Sequence, residues 1–133
     1  MTTDRPLKGT VLVVDDDPDI RRMVALVLRR EGYEVQTADS PMGVTTLVRR
    51  IEPKVLILDV SMPGLSGDNL AKLLTRAVGR RPIVFYSAMP DAELLALCRR
   101  IPDSTYLAKG APLSRLVETV DRMVRLYASQ HPH

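Results

Sequence analysis

The chain has 133 residues, a formal net charge of +3 and a single cysteine. A domain of this length can bury a sizeable core without a structural metal, and one cysteine cannot form an internal disulfide. No apolar stretch approaches the roughly 20 residues of a membrane span, and the N-terminus lacks the basic segment and apolar run of a secretory signal. We therefore predict a cytoplasmic protein that neither enters a membrane nor is exported.

Arginines occur in adjacent pairs, which raises the question of a nucleic-acid surface. The pairs are Arg21/Arg22, Arg29/Arg30, Arg49/Arg50, Arg80/Arg81 and Arg99/Arg100. Three of the pairs fall in the last turn of a predicted helix, where cations complement the helix dipole, and the chain has few aromatic residues for base stacking. The pattern favours solvated helix ends and predicts no direct contact with nucleic acid.

A buried strand and an amphipathic helix open the domain. The apolar run of residues 11–14 predicts the strand, which the three aspartates Asp15, Asp16 and Asp17 end. Pro18 suits the first position of a helix, and Asp17 can cap its free amides. The inner face of this helix comprises Ile20, Met23, Val24, Val27 and Leu28. Gly32 then ends the helix.

A second strand and helix follow. Alternation over residues 34–38 predicts a strand at the edge of a sheet. Pro41 is predicted to open the next helix and Pro53 to close it.

The strand that ends at Asp59 is the centre of the predicted site. Its four apolar residues, 55–58, predict a strand buried on both faces, and the run stops at a carboxylate. Pro63 and Gly64 then turn the chain. Asp59 therefore lies at the carboxyl end of its strand, where open α/β sheets hold their functional groups.

The rest of the chain repeats the same alternation. Further helices are predicted over residues 70–78, over residues 91–101 and from Pro112 onward, and further strands over residues 82–86 and 104–108. Five strands alternating with five helices predict one parallel sheet covered on both faces. We assign the domain to residues 10–128, with a short tail before it (1–9) and a polar, disordered tail after it (129–133).

Polar side chains stand at the carboxyl ends of four predicted strands: Asp15, Asp16, Asp59, Ser87 and Lys109. Right-handed crossovers bring these strand ends to one rim of the sheet. Carboxylates packed closely cannot all ionise cheaply unless a cation relieves their repulsion. Mg²⁺ fits, because it takes one or two carboxylates, keeps several waters and is often completed by a phosphate oxygen. Lys109 and Ser87 would then bind the oxygens of a phosphoryl group.

These residues resemble a known family, the receiver domain of two-component response regulators (CheY-like). The similarity extends over residues 10–127, and the matching segments are Val-Val-Asp15-Asp16, Leu-Asp59-Val-Ser-Met-Pro-Gly, Tyr-Ser87-Ala and Tyr106-Leu-Ala-Lys109. The resemblance implies a flavodoxin-like, doubly wound (βα)₅ fold with strand order 2-1-3-4-5. It also implies that Asp59 accepts a phosphoryl group from a sensor histidine kinase or a phosphotransfer protein. The protein would then be a signalling domain and not an enzyme with a substrate that it turns over.

The resemblance assigns a role to each acidic residue of the metal site. It implies that Asp16 ligates Mg²⁺ directly and that Asp15 binds mainly through water. Asp59 and the backbone carbonyl of Ser61 complete the implied protein ligands.

The resemblance further assigns residues to signalling and to the lifetime of the phosphoryl group. Ser87 and Tyr106 resemble the family's switch pair, whose movement would remodel the face formed by the fourth helix, the fifth strand and the fifth helix. That face would bind a downstream protein or a second copy of the chain. Ser61 and Met89 occupy the positions that tune phosphoryl lifetime. An apolar Met89 cannot orient an attacking water, which predicts slow self-dephosphorylation.

One residue departs from the family pattern, and two alternative functions stay open. Gly110 stands where a cis proline usually follows the lysine, so we expect a trans peptide bond and a looser or redirected loop. This departure motivates a first alternative, a degenerate receiver that acts as a phosphorylation-independent adaptor. A second is a Mg²⁺-dependent phosphohydrolase that uses Asp15 and Asp17. No output domain fits after the fifth helix, so we expect a stand-alone receiver or a piece of a longer regulator.

Overall fold

Strands and helices alternate through residues 7–61 and 81–132, which are the residues that the structure, a computed structural model, describes. The strands are β1 (Thr10–Val14), β2 (Glu34–Ala38), β3 (Val55–Leu58), β4 (Ile83–Ser87) and β5 (Ser104–Ala108). The described helices are α1 (Pro18–Arg30), α2 (Val44–Ile51), α3 (Asp91–Arg100) and α4 (Leu113–Gln130). The predicted turn at Pro63 and Gly64 and the predicted helix of residues 70–78 lie outside the described residues.

All the strands run parallel in one sheet of order β2-β1-β3-β4-β5, which confirms the predicted fold class and strand order. Val14 at the end of β1 pairs with Leu58 at the end of β3. Ser87 at the end of β4 pairs with Ala108 at the end of β5. This register brings the residues that follow neighbouring strands side by side on one rim.

The core lies in two layers, one on each face of the sheet. Successive side chains of a strand point to opposite faces, so alternate residues of β1, β3 and β4 enter different layers. One layer packs against α1 and α4 and includes Val11, Val13, Val55, Ile57, Val84 and Tyr86. The other packs against α2 and α3 and includes Leu12, Val14, Leu56, Leu58, Ile83 and Phe85. None of the helices described has the length and apolar character that crossing a membrane requires.

Two helix boundaries differ from the prediction by more than one residue. Residues 41–43 form a turn, and α2 starts at Val44 because Gly43 takes a left-handed backbone (φ 81°) that cannot belong to an α-helix. At the other end of the chain, α4 continues to Gln130, and the backbone N–H of His131 still donates to the carbonyl of Tyr127. Residues 129 and 130, which we assigned to a disordered tail, are therefore helical.

Three arginine pairs lie where they were predicted. Arg29/Arg30, Arg49/Arg50 and Arg99/Arg100 occupy the last turns of α1, α2 and α3. In this position their charges face the partial negative charge of the helix dipole.

A polar contact ties α4 to the rim opposite the strand ends. Tyr33, which is buried, donates its hydroxyl hydrogen bond to Asp121 of α4. The ammonium of Lys8 lies 3.7 Å from the same carboxylate and 5.3 Å from the centre of the tyrosine ring. Burial, followed by the hydrogen bond to Asp121, raises the pKa of Tyr33 well above its ordinary value. The N-terminal segment, the turn before β2 and the last helix are thus joined at one point.

Replacing Tyr33 by phenylalanine removes the hydroxyl that Asp121 accepts from. We expect the free energy of unfolding near neutral pH to fall by about 1–2 kcal/mol. Because the pKa of Tyr33 is higher in the folded than in the unfolded chain, its contribution is complete below the unfolded value of about 10 and is lost as the pH rises above it. The free energy of unfolding of Tyr33→Phe should therefore fall less between neutral and alkaline pH than that of the native chain.

Urea unfolding at neutral pH and at about pH 11 measures both effects. Tyr127→Phe makes the same chemical change on a ring that stacks on His131. An equal loss of stability in both variants would contradict the role given to Tyr33.

Candidate functional site

Two buried carboxylates meet at the end of β1 and β3. Asp15 follows β1 and Asp59 follows β3, and their exposed fractions are 2% and 3%. The sheet register continues through them, because the backbone N–H of Asp59 donates to the carbonyl of Val14 (3.0 Å) and that of Asp15 to Ala38 (3.1 Å). The strand pairing therefore fixes the backbone positions of Asp15 and Asp59.

The ammonium of Lys109 lies between the two carboxylates. Its Nζ is 2.9 Å from Oδ2 of Asp15 and 2.9 Å from Oδ2 of Asp59. Burial alone would lower the pKa of Lys109, but its hydrogen bonds to Asp15 and Asp59 raise it above the ordinary value. The lysine is therefore charged and offsets the repulsion between the carboxylates. The sequence-based prediction gives that neutralising role to a metal ion.

The loop that carries Lys109 is held in place despite Gly110. The Lys109–Gly110 peptide bond is trans, as expected, since none of the described residues follows a cis bond. The backbone N–H of Lys109 donates to the carbonyl of Ser87 (3.0 Å), and that of Ala111 donates to Ala108 (3.0 Å). The hydroxyl of Tyr86 lies 3.4 Å from the carbonyl of Lys109. With these contacts, Lys109 is aimed at both carboxylates.

Ser61 holds the second oxygen of Asp59. Its backbone N–H and its hydroxyl both donate to Oδ1 of Asp59, at 2.9 Å and 2.6 Å. Burial alone would raise the pKa of Asp59, but the hydrogen bonds from Ser61 and Lys109 outweigh it and keep that pKa below its ordinary value. Asp59 is therefore an ionised carboxylate with a fixed orientation at neutral pH.

A third carboxylate makes this group of residues suitable for a metal ion. Oxygens of Asp15, Asp16 and Asp59 all lie within 4.8 Å of one another. Asp16 is exposed, so the cluster opens to solvent on one side. Hard oxygen donors with one side open to solvent suit Mg²⁺, an ion that keeps several of its waters when it binds carboxylates. The residues present therefore fit this ion.

Ser87 and Tyr106 lie on the neighbouring strands. Ser87 is fully buried at the end of β4, and its Oγ accepts a hydrogen bond from the backbone N–H of Met89 (3.2 Å). Tyr106 is partly buried on β5 and packs, as Met89 does, against the core layer under α2 and α3. The predicted switch pair thus lies on two paired strands, with the Ser87 hydroxyl turned toward its own loop.

Sequence reasoning missed two residues that support the site. Arg21 of α1 donates from its guanidinium to the backbone carbonyl of Asp15 (2.7 Å), and Tyr86 lies against the carbonyl of Lys109. For Arg21 a signal was available, because a cation in the first turns of a helix opposes the helix dipole and calls for another explanation. Tyr86 lies in an apolar run that predicts a buried strand, so the sequence gives no indication of its contact with Lys109.

Comparison with known proteins identifies the family. The sequence matches the response regulator receiver domain over residues 11–121. The DNA-binding response regulator MtrA of Mycolicibacterium smegmatis is 31% identical over 119 residues, which cover 90% of this chain and 52% of that protein. The probable transcriptional regulatory protein TcrX of Mycobacterium tuberculosis is 40% identical over 85 residues, 63% of this chain and 36% of that protein. The chain thus spans about half the length, or less, of these relatives.

A solved structure agrees with the sequence comparisons. The chemotaxis protein CheY4 of Vibrio cholerae aligns with a TM-score of 0.77 and 26% identity, covering 86% of this chain and 98% of that one. The predicted resemblance is confirmed by the family match over most of the chain, by these relatives and by the parallel sheet of order β2-β1-β3-β4-β5. The chain belongs to the receiver domain family of two-component response regulators.

Proposed function

We propose that Asp59 accepts a phosphoryl group from a sensor histidine kinase or a phosphotransfer protein, in the cytoplasm and with Mg²⁺. The observation that carries this proposal is the ion triad at the rim, in which Lys109 contacts both Asp15 and Asp59 at 2.9 Å. An ionised, oriented carboxylate with a cation beside it has the properties of a phosphoryl acceptor. Family membership makes a histidine kinase the natural donor.

In this proposal Asp15, Asp16, Asp59 and the backbone carbonyl of Ser61 hold the metal. When bound, Mg²⁺ would neutralise charge on the phosphoryl oxygens. An oxygen of Asp59 forms a bond to phosphorus while the bond from phosphorus to the donor's imidazole nitrogen breaks, and the electron pair of that bond stays on the imidazole. Lys109 pairs with phosphoryl oxygens, and Ser61 keeps the carboxylate in one orientation.

The signal would leave the site through β4 and β5. Ser87 would turn its hydroxyl from the N–H of Met89 to the phosphoryl group, and Tyr106 would move further into the core layer against which it packs. These movements would change the surface formed by α3, β5 and α4, where a downstream protein or a second copy of the chain would bind.

The named relatives suggest where the signal goes. MtrA is named a DNA-binding response regulator and TcrX a probable transcriptional regulatory protein. We therefore propose control of transcription as the output, with the receiver itself contacting protein and not nucleic acid.

Of the alternatives, the phosphohydrolase has the least support. The carboxylate of Asp17 accepts a hydrogen bond from the N–H of Asp19 (2.9 Å) and caps α1, as predicted from the sequence, so it serves the helix and not the acidic cluster. The following experiment distinguishes our proposal from the phosphorylation-independent adaptor.

Asp59→Asn should abolish phosphorylation. We expect incubation with acetyl phosphate and Mg²⁺ to add one phosphoryl mass to the native chain, and to add none without Mg²⁺ or in Asp59→Asn, because an amide cannot act as the acceptor. Mass spectrometry of the intact protein measures this.

The matched control for this test is Asp39→Asn, which makes the same change at an exposed aspartate after β2 on the same rim. The control should be phosphorylated as the native chain is. Absence of any increment in the native chain, with acetyl phosphate and with kinase, would refute the proposed acceptor role.

Lys109→Met removes the cation between two buried carboxylates. Without Mg²⁺ we expect the free energy of unfolding to fall by about 2–3 kcal/mol, because the carboxylates then repel each other in a site with little water. Saturating Mg²⁺ should restore much of this loss, and should stabilise the variant more than the native chain. Denaturant unfolding with and without Mg²⁺ tests this, with Lys54→Met as the control. Equal stabilisation of the native chain and of Lys109→Met by Mg²⁺ would contradict the role given to Lys109.

Met89→Glu should shorten the lifetime of the phosphorylated chain. A carboxylate at this position can orient an attacking water, so we expect hydrolysis to be about 10²-fold faster than in the native chain. The decay of the phosphoryl mass after removal of the donor measures the rate. The control is Met42→Glu, the same change at a methionine that is 89% exposed in the loop after β2. A native phosphoprotein that decays within seconds would contradict the role of Met89.

A further inference from the structure

Arg21 contacts the loop that carries the acidic cluster. Its guanidinium reaches from α1 to the backbone carbonyl of Asp15, with Nη1 2.7 Å from the oxygen. That carbonyl belongs to the peptide group between Asp15 and Asp16, two of the proposed metal ligands. The contact therefore acts on the orientation of the peptide that joins them.

The other hydrogen bonds of this loop act on either side of that peptide group. The N–H of Asp15 is held by Ala38 (3.1 Å), and the N–H of Asp17 donates to Oδ1 of Asp15 (2.9 Å). The N–H of Arg21 donates to the carbonyl of Asp17 at the start of α1 (3.1 Å). Asp16 is exposed, so its direction depends on the backbone on which it sits. A rotation of the peptide before it would move its carboxylate away from Asp15 and Asp59.

Arg22 is the natural comparison. It carries the same charge one residue further along α1, but its guanidinium pairs with the exposed carboxylate of Asp19 (2.7 Å), and its own side chain is 76% exposed. Arg21 and Arg22 thus carry the same charge, but Arg21 contacts the acidic loop and Arg22 pairs with Asp19.

We propose that Arg21 is a positioning residue for the magnesium site: its hydrogen bond to the carbonyl of Asp15 fixes the peptide between the first two acidic ligands. This inference rests on the proposed function. Outer contacts that orient metal ligands are typically worth 10- to 100-fold in metal affinity.

The sign of the effect separates positioning from simple electrostatics. A positive charge near three carboxylates repels a divalent cation, so its removal would tighten Mg²⁺ binding if charge were the whole effect. Loss of a positioning contact weakens binding instead. The two explanations therefore predict opposite changes in affinity.

The test is calorimetric titration of Mg²⁺ into the native chain, Arg21→Met, Arg21→Lys and Arg22→Met at one ionic strength. Methionine keeps the length and helix propensity of the side chain but has no donor and no charge. We expect Arg21→Met to bind Mg²⁺ about tenfold more weakly, and Arg21→Lys to recover part of the loss because an ammonium still donates. Arg22→Met should bind as tightly as the native chain or slightly more tightly.

Stability is measured alongside affinity in the absence of Mg²⁺. Arg21 lines an open groove of about 570 Å³ between α1 and β2, so its replacement leaves no hole in the core. If the native chain binds Mg²⁺ and folded Arg21→Met binds it equally or more tightly, the positioning role is refuted and the proposed function stands. If Arg21→Met does not fold, Arg21→Ala, which also has neither donor nor charge, takes its place, and native or tighter affinity in folded Arg21→Ala refutes the role as well. If the native chain itself binds no Mg²⁺, both proposals fail.

Discussion

The site depends on the two ion pairs that the ammonium of Lys109 forms, one with Asp15 and one with Asp59. Two carboxylates that are almost fully buried would otherwise repel each other at the point where the central strands end. Because the lysine contacts both carboxylates, its positive charge offsets their repulsion before any ligand arrives. The same charge would then be available to the phosphoryl group that we propose for Asp59. A single cation thus stabilises the resting fold and prepares it for the proposed chemistry.

The parallel sheet makes this interaction possible. Val14 pairs with Leu58 and Ser87 with Ala108. Asp15, Asp59 and Lys109 each follow one of these paired residues directly, and the pairing therefore sets the spacing between them. Below the rim, the central strands β1 and β3 carry only apolar side chains over residues 11–14 and 55–58, which leaves their polar groups at the open edge. The site and the proposed switch pair share this framework. The backbone N–H of Lys109 donates to the carbonyl of Ser87, and Tyr106 lies on β5, the strand that ends directly before Lys109.

Some residues of the site follow the family pattern, and others make contacts that the family pattern does not predict. The acidic residues, the lysine and the hydroxyl follow the family pattern, and Gly110 departs from it. Here the loop is held by a turn between Ala108 and Ala111 and by the hydroxyl of Tyr86, so the lysine keeps its aim without a proline. Arg21, whose guanidinium reaches the Asp15 carbonyl, adds a contact from the outer side of the acidic loop.

Local apolar patterns, together with the residue at which each apolar run stops, were enough to predict the strands over residues 34–38, 55–58 and 104–108. The same patterns predicted the two-sided burial of the sheet and the candidate residues at its rim. They did not predict the start of α2, where a left-handed Gly43 delays the helix, or the extent of α4. The packing of the folded chain is what brings Lys109 to both Asp15 and Asp59, Arg21 to the Asp15 carbonyl and Tyr33 to Asp121. Each of these contacts depends on the direction of a side chain toward a different element, and local periodicity carries no information about that direction.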